Sequence, residues 1–381
     1  MSMIQIVRDG AGRIVSITFR RRSNFHAHGR WGQLMETVLP DILRHTKYVL
    51  LMPNTGPDKG GIIRTPESAA LAYRRAMELR DRHGMTTCTD ILTTVYLTGD
   101  VTPKMIETIS RSHCVWALKS YPTDPKGTTN AGHGIPFDEI DEDVIRAMIE
   151  HRVPLLIHAE DTHDRHGRSL SHAEREAHCV EHRLRPFRER HPDLLICEEH
   201  ISTAKSVALI KEDASGKTVC TVTPHHMLLT IRNLNVHTKC MPFLKSEEDR
   251  AAVAAFAISG DYRAIAGDDT APHPAADKRV AFENAKCGCW LPHGIGIYTR
   301  VFADAGALDG RFEQFMSLNG PRWWGLPIPD ARDTITIRAV KEGDVPEPLP
   351  IIGSDDVIVP MGWPDGDYAA RIPVGFVAHE C

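Results

Sequence analysis

The sequence predicts an α/β fold: a closed (β/α)8 barrel of the TIM type, with an N-terminal β segment and a C-terminal extension. Three observations lead there. Eight short apolar stretches recur between residues 25 and 269. Segments of helical composition separate them, and strands joined through helices run parallel. The polar residues of these stretches gather at their C-terminal ends, where a parallel barrel keeps its active site.

The elements follow in order. Residues 1–22 hold two alternating pieces, Ile4 to Ile6 and Ile14 to Phe19, split by Asp9-Gly10-Ala11-Gly12, which reads as a hairpin or a pair of edge strands. The eight barrel strands are expected at 25–28, 48–54, 87–92, 115–121, 154–160, 194–200, 218–223 and 264–269. Helices are expected at 33–47, 65–83, 102–112, 138–152, 171–190, 203–212, 246–259 and 294–305. Two of them open on Thr-Pro, at Thr65-Pro66 and Thr102-Pro103, a capping residue followed by proline at the first helical position. The chain therefore divides into an N-terminal β segment (1–22), a barrel (23–325) and an extension (326–381) rich in Gly, Pro and Asp, which can pair with the N-terminal strands.

Composition narrows the function. At 381 residues the chain is long enough for one large barrel, and a net charge of −5 gives no bulk attraction for nucleic acid or an acidic membrane. The N-terminus lacks the apolar core of a signal peptide, and no run approaches a transmembrane span. Nine scattered cysteines, an odd number, suit a reducing compartment, and a cytoplasmic location is expected. Cys287-Gly288-Cys289 is the one close pair, and no second pair follows at zinc-finger spacing.

The strand ends carry the chemistry. His26 and His28 stand at i and i+2, so on a strand they face one side together. His158, His200 and an aspartate of Asp268-Asp269 end the fifth, sixth and eighth strands. Four imidazoles and a carboxylate suit zinc or a similar divalent ion, and are more than one catalytic zinc takes. They suit two ions with a bridging ligand. Lys119 stands on the fourth strand. As an ammonium it would repel two cations; after reaction with carbon dioxide it becomes a carbamate able to bridge them. The alternative is a buried lysine paired with Glu160 or Asp268. His163, His166, His172, His178 and His182 fall on a polar loop and helix and read as solvated, while His225 and His226 end the seventh strand.

Taken together, His26-Ala27-His28-Gly29-Arg30, Met52-Pro53-Asn54-Thr55, Lys119-Ser120-Tyr121-Pro122 with Thr128-Thr129-Asn130, Ile157-His158-Ala159-Glu160, Glu199-His200-Ile201-Ser202-Thr203, Cys240-Met241-Pro242-Phe243-Leu244-Lys245 and Asp269-Thr270-Ala271-Pro272-His273 resemble the dihydroorotase family, in its shorter bacterial and fungal form, within the amidohydrolase superfamily. The resemblance runs from about Asn24 to Trp324. It implies that His26, His28 and Asp269 hold one zinc ion, His158 and His200 a second, and that N6-carboxylated Lys119 bridges them. It implies Arg30, Asn54 and His273 as the clamp on a substrate carboxylate, Thr128 and Thr129 as the tip of a closing loop, Met241 as a backbone contact to the ring, and Asp269 as the acid–base residue. The implied reaction is interconversion of dihydroorotate and N-carbamoyl-aspartate in pyrimidine synthesis, on a small-molecule substrate, by an enzyme often found as a homodimer. Gly29 and Ala159 depart from the usual pattern, Asp268 stands where Ser or Thr is usual, and the loop to Cys287-Gly288-Cys289-Trp290 is altered, with a further ring contact expected near Trp290. Two rival readings remain: a hydantoin- or imide-type cyclic amidohydrolase acting on another carboxylated ring, and a non-catalytic scaffold for a partner enzyme.

Overall fold

The computed structural model describes residues 3–88, 90–125, 127–340, 346–363 and 365, and the backbone of a last strand at 376–379. Strands β1 (Gln5–Arg8) and β2 (Ile14–Arg20) form the N-terminal antiparallel hairpin. The barrel strands are β3 (Arg22–Ala27), β4 (Thr46–Leu51), β5 (Asp90–Tyr96), β6 (Val115–Ser120), β7 (Leu155–Ile157), β8 (Ile196–Glu198), β9 (Thr218–Val222) and β10 (Ala264–Ala266), all parallel and paired in sequence order. The first and last are joined by isolated bonds just beyond β10: Asp269 N–H donates to the His26 carbonyl (2.9 Å) and His28 N–H to the Thr270 carbonyl (3.0 Å). Strand β11 (Thr334–Ala339) pairs antiparallel with β2, so the C-terminal extension returns to the N-terminal hairpin. Beyond it, β12 (Leu349–Pro350) and β13 (Val357–Ile358) form a small ladder, and β14 (Phe376–His379) adds to β11.

Inside the barrel one apolar residue from each strand fills the lower layer: Phe25, Leu50, Leu92, Ala117, Leu156, Cys197, Val219 and Ile265, with Trp324 closing the bottom. Strand side chains repeat every second residue, so Lys119, His158 and Glu199 stand one layer above Ala117, Leu156 and Cys197, facing the mouth. Outside, apolar residues of strands and helices pack in separate clusters. Thr65, Thr102, Asp141, Thr203 and Ser246 cap the helices that follow them by accepting a backbone N–H.

Two expectations shift. The third barrel strand starts at Asp90, about three residues later than 87–92. Thr86 and Thr87 have the β-branching of a strand but lie exposed, and the buried run is Ile91 to Leu97. The helix expected over 171–190 begins at Arg175 and widens into a π turn at Val180–Leu184, where Arg185 N–H reaches the Val180 carbonyl. Pro186 follows immediately and has no N–H to continue the regular ladder.

Candidate active site

The metal-type side chains meet at the mouth. His26, His28 and Asp269 each offer a ligand atom, all within 4.8 Å of one another. Asp269 Oδ1 lies 3.0 Å from His28 Nε2 and 3.3 Å from His26 Nε2. The ring centroids of His26 and His200 are 4.9 Å apart, and those of His158 and His200 4.4 Å. Three of the four histidines are oriented by a second side chain, as metal-binding imidazoles are. His26 Nδ1 bonds the Glu199 carboxylate, His28 Nδ1 the Asn54 side-chain oxygen (2.7 Å), and His158 Nε2 the Glu160 carboxylate (2.8 Å). His26 Nε2 and His200 Nδ1 are buried without a hydrogen-bond partner.

The electrostatics favour a cation. Burial would depress the His26 pKa, but the Glu199 and Asp269 carboxylates beside it raise it. Burial likewise works against an ionised Asp269, and the charge of His26, with the hydrogen bond from His28, brings it well below the usual carboxylate range. Burial holds His28 at about 4 and pushes His200 well below the usual imidazole range, so both are neutral rings with lone pairs to give. These nitrogen and oxygen donors, two of their atoms orphaned, fit a divalent metal cofactor.

Lys119 is fully buried, and its Nζ has no hydrogen-bond partner. It lies 5.2 Å from the centroid of the Tyr121 ring, and burial brings its pKa down to about 8. Pairing with Glu160 or Asp268 does not occur: Glu160 bonds His158, and Asp268 bonds Arg22 and Asn24.

Above these donors lies a cavity of about 310 Å³ lined by His28, His158, His200 and Asp269 on its floor and by Arg30, Asn54, Thr128, Thr129 and Met241 on its walls. Arg30, in a left-handed backbone conformation (φ 61°), gives Nε to the Pro272 carbonyl (2.7 Å) and leaves Nη2 buried and unpartnered. Asn54 Nδ2 reaches the Thr129 carbonyl (3.2 Å), and Thr129 Oγ1 the Cys287 carbonyl (3.3 Å), so the 128–130 loop is tied down over the cavity. His273 does not line it; its Nε2 bonds the Cys287 carbonyl (3.0 Å). His26 and Lys119 do not line the cavity.

Several residues line this cavity without a role expected from the sequence: Tyr121, Cys240, Ala271, Cys287 and Gly288. Of the loop expected to carry a further ring contact near Trp290, Cys287 and Gly288 line the cavity and Trp290 does not. Trp290 turns away into the apolar cluster around Ala27 and Leu39. Gly29 is also remote from the substrate space: a Cβ there would meet Leu51 (3.2 Å) and Leu39 (3.6 Å), so its smallness serves helix packing. His225 and His226 sit on a short helix (Pro224–Leu228), not on a strand end. His225 is fully buried and forms with Cys240 and Asp269 a second compact group of potential metal donors. His172 and His178 are half-buried: His172 stacks on Phe243 at 3.8 Å and His178 bonds Asp161 (2.8 Å). Among the described residues no helix is long and apolar enough to cross a membrane.

Imidazoles and a carboxylate converging on a deep pocket at the mouth of a parallel barrel make this a metal-dependent hydrolase of the amidohydrolase class. Relatives narrow the class. The chain is 35% identical over 356 residues to a dihydroorotase of Halorhodospira halophila, covering 91% of this chain and 96% of that one. It is 33% identical over 359 residues to a dihydroorotase of Ruegeria pomeroyi, covering 91% and 98%. Its fold is like that of Saccharomyces cerevisiae dihydroorotase, solved in complex with 5-fluoroorotic acid, with a TM-score of 0.81 at 24% identity over 96% of this chain and 98% of that one. No family model matches the chain. The chain belongs to the dihydroorotase family.

Proposed function

We propose that the enzyme opens and closes the six-membered ring of dihydroorotate, interconverting it with N-carbamoyl-aspartate. The observation that carries this reading is the buried, unpartnered Nη2 of Arg30 at the wall of a cavity whose floor is built of metal donors. A guanidinium in that position calls for an anion, and its planar fork matches a carboxylate. A ring bearing a carboxylate, held by Arg30 and Asn54 with His273 behind them, would lay its amide over the floor.

His26, His28 and Asp269 would hold one zinc ion and His158 and His200 another, with carboxylated Lys119 between them. Bound there, such ions supply Lewis acidity and make water a nucleophile near neutral pH. The depressed Lys119 pKa supports the carbamate, because only the neutral amine adds carbon dioxide. Asp269, anionic at neutral pH, takes the proton from the attacking water as its oxygen bonds the ring carbonyl carbon. As the carbon–nitrogen bond breaks, Asp269 returns that proton to the leaving nitrogen; ring closure runs the same steps backwards. Thr128 and Thr129 cover the ring and exclude water, and the backbone of Met241 fixes its edge.

Purified enzyme loaded with zinc and given dihydroorotate, N-carbamoyl-aspartate or a hydantoin tests the reading. Turnover of the first two is expected. Turnover of hydantoin alone would move the substrate to another ring. No turnover at all, in a sample carrying its metal, would leave a scaffold.

A further inference from the structure

Asp268 and Asp269 are neighbours in the chain and face different cavities. Asp269 lines the substrate cavity, while Asp268 lines another of about 370 Å³, shared with Arg22, Asn24 and Trp290, and the two cavities have no lining residue in common. Asp268 therefore does not reach the reacting atoms. Its surroundings tie it instead to the first strand. Its Oδ2 accepts from Arg22 Nη2 and from Asn24 Nδ2 (3.0 Å), and its backbone N–H donates to Asn24 Oδ1 (2.9 Å). Arg22 and Asp268 are both nearly fully buried. On the other side the helix Gly294–Asp304 begins against the carboxylate; a Cβ on Gly294 would lie 3.2 Å from the Asp268 carboxyl carbon, which leaves Asp268 little room to move.

This knot sits where the barrel has no ladder. Strands β3 and β10 occupy the two ends of the strand order. Between them the chain must place Asp269 in a left-handed conformation (φ 48°), which a non-glycine residue holds only when its neighbours dictate it. The next bond along the seam, from Asp269 N–H to the His26 carbonyl, fixes the aspartate against the first histidine.

We propose that Arg22, Asn24 and Asp268 form a clasp across the barrel seam that positions Asp269 against His26 and His28, making Asp268 and Arg22 positioning residues for the reaction. The proposal rests on the reading of Asp269 as the acid–base group and metal ligand. The test compares Asp268→Ala with the double variant Arg22→Met/Asp268→Ala. The double variant leaves no unpaired buried charge, so it stays informative if the single variant fails to fold. Folding is checked by circular dichroism, kcat and KM by dihydroorotate turnover, and metal retention by the rate of loss to a chelator. In the folded double variant kcat falls about 10–100-fold with KM within about threefold of the parent, and metal is lost faster. A double variant with parental kcat and parental metal retention overturns the clasp, as does a loss confined to KM. If the parent turns over no dihydroorotate but the double variant still sheds metal faster, the clasp stands and the substrate reading falls.

Discussion

Glu198 ends β8 and Glu199 follows it, and both are buried, yet their charges differ because the barrel wall separates them. Glu199 faces inward. Burial pulls its pKa up, but the charges of His26 and Lys119 and hydrogen bonds from His26 and Thr221 bring it below the usual value. Glu198 faces outward, toward the surrounding helices. Burial, and then the nearby Glu176 carboxylate, push its pKa up to about 8, so it is protonated at neutral pH. The inner carboxylate has cations to answer; the outer one has another carboxylate. The same amino acid is therefore part of a metal-binding wall on one face and a neutral packing group on the other. Changes to the inner face should remove activity from a folded protein, and changes to the outer face should move stability while activity persists.

The largest effect is expected at Lys119. Lys119→Ala should lower kcat by about 10²–10³-fold, the scale of losing one group that stabilises charge at the reacting centre. Metal content by elemental analysis should fall with it. Added propionate should restore part of the activity by entering the vacated space as a substitute carboxylate. A variant that keeps its metal and its kcat would show that the lysine bridges nothing. Next comes Glu199→Gln. The amide keeps the size but no longer draws positive charge to His26, so a loss of about 10–100-fold in activity or metal affinity is expected, read by turnover and by metal competition.

The sequence carried the metal donors further than the pocket around them. His26 and His28 are legible because a spacing of two puts them on one face of a strand whatever the rest of the chain does. His158, His200 and Asp269 are legible as polar breaks at the ends of apolar runs. Glu199 stood in a recognised motif without a role, since choosing it over Glu198 requires the strand register, and a shift of one residue exchanges the two faces. Tyr121, Cys240 and Gly288 were not legible as pocket residues. They reach the cavity through the path of loops, and loops carry no periodicity to read. The same gap left the further ring contact placed no more closely than near Trp290, on the loop whose Cys287 and Gly288 line the cavity. The third strand slipped because Thr86 and Thr87 have strand propensity without burial, and propensity for β structure is largely a matter of packing.

A smaller effect is expected at the pocket wall. Arg30→Lys keeps the charge and removes the fork. Its Nη2 is the buried donor with nothing to bond, and a hydrogen bond to a charged group contributes about 1.5–3 kcal/mol. KM for dihydroorotate should rise about tenfold or more, with kcat changed much less, in steady-state assays. An equal fall in kcat at constant KM would assign Arg30 to the transition state instead of the carboxylate.

The smallest effect on activity, and the sharpest contrast with Glu199, belongs to Glu198→Gln. Glu176 accepts five hydrogen bonds, from the backbone and hydroxyls of Ser202 and Thr203 and from the Ser206 hydroxyl, and so anchors the start of the helix Ala204–Glu212. Ser206 Oγ also touches Glu198. A hydroxyl has one proton to give, so Ser206 cannot satisfy two ionised carboxylates at once, and a neutral Glu198 removes that competition. Because the folded pKa of Glu198 is raised to about 8 from an ordinary 4.5, the unfolded chain releases the Glu198 proton first as pH rises. The stability that the neutral Glu198 contributes is complete below about 4.5 and declines as pH rises toward 8. Glutamine carries no such proton. Thermal melts of Glu198→Gln should therefore lie close to the parent near pH 5 and above it at pH 8, by on the order of a few degrees. Turnover of the variant should stay within about twofold of the parent, where Glu199→Gln loses about tenfold or more. A variant that melts lower than the parent at pH 8 would mean that Glu198 is ionised in the fold, and the two faces of the strand would no longer differ in charge.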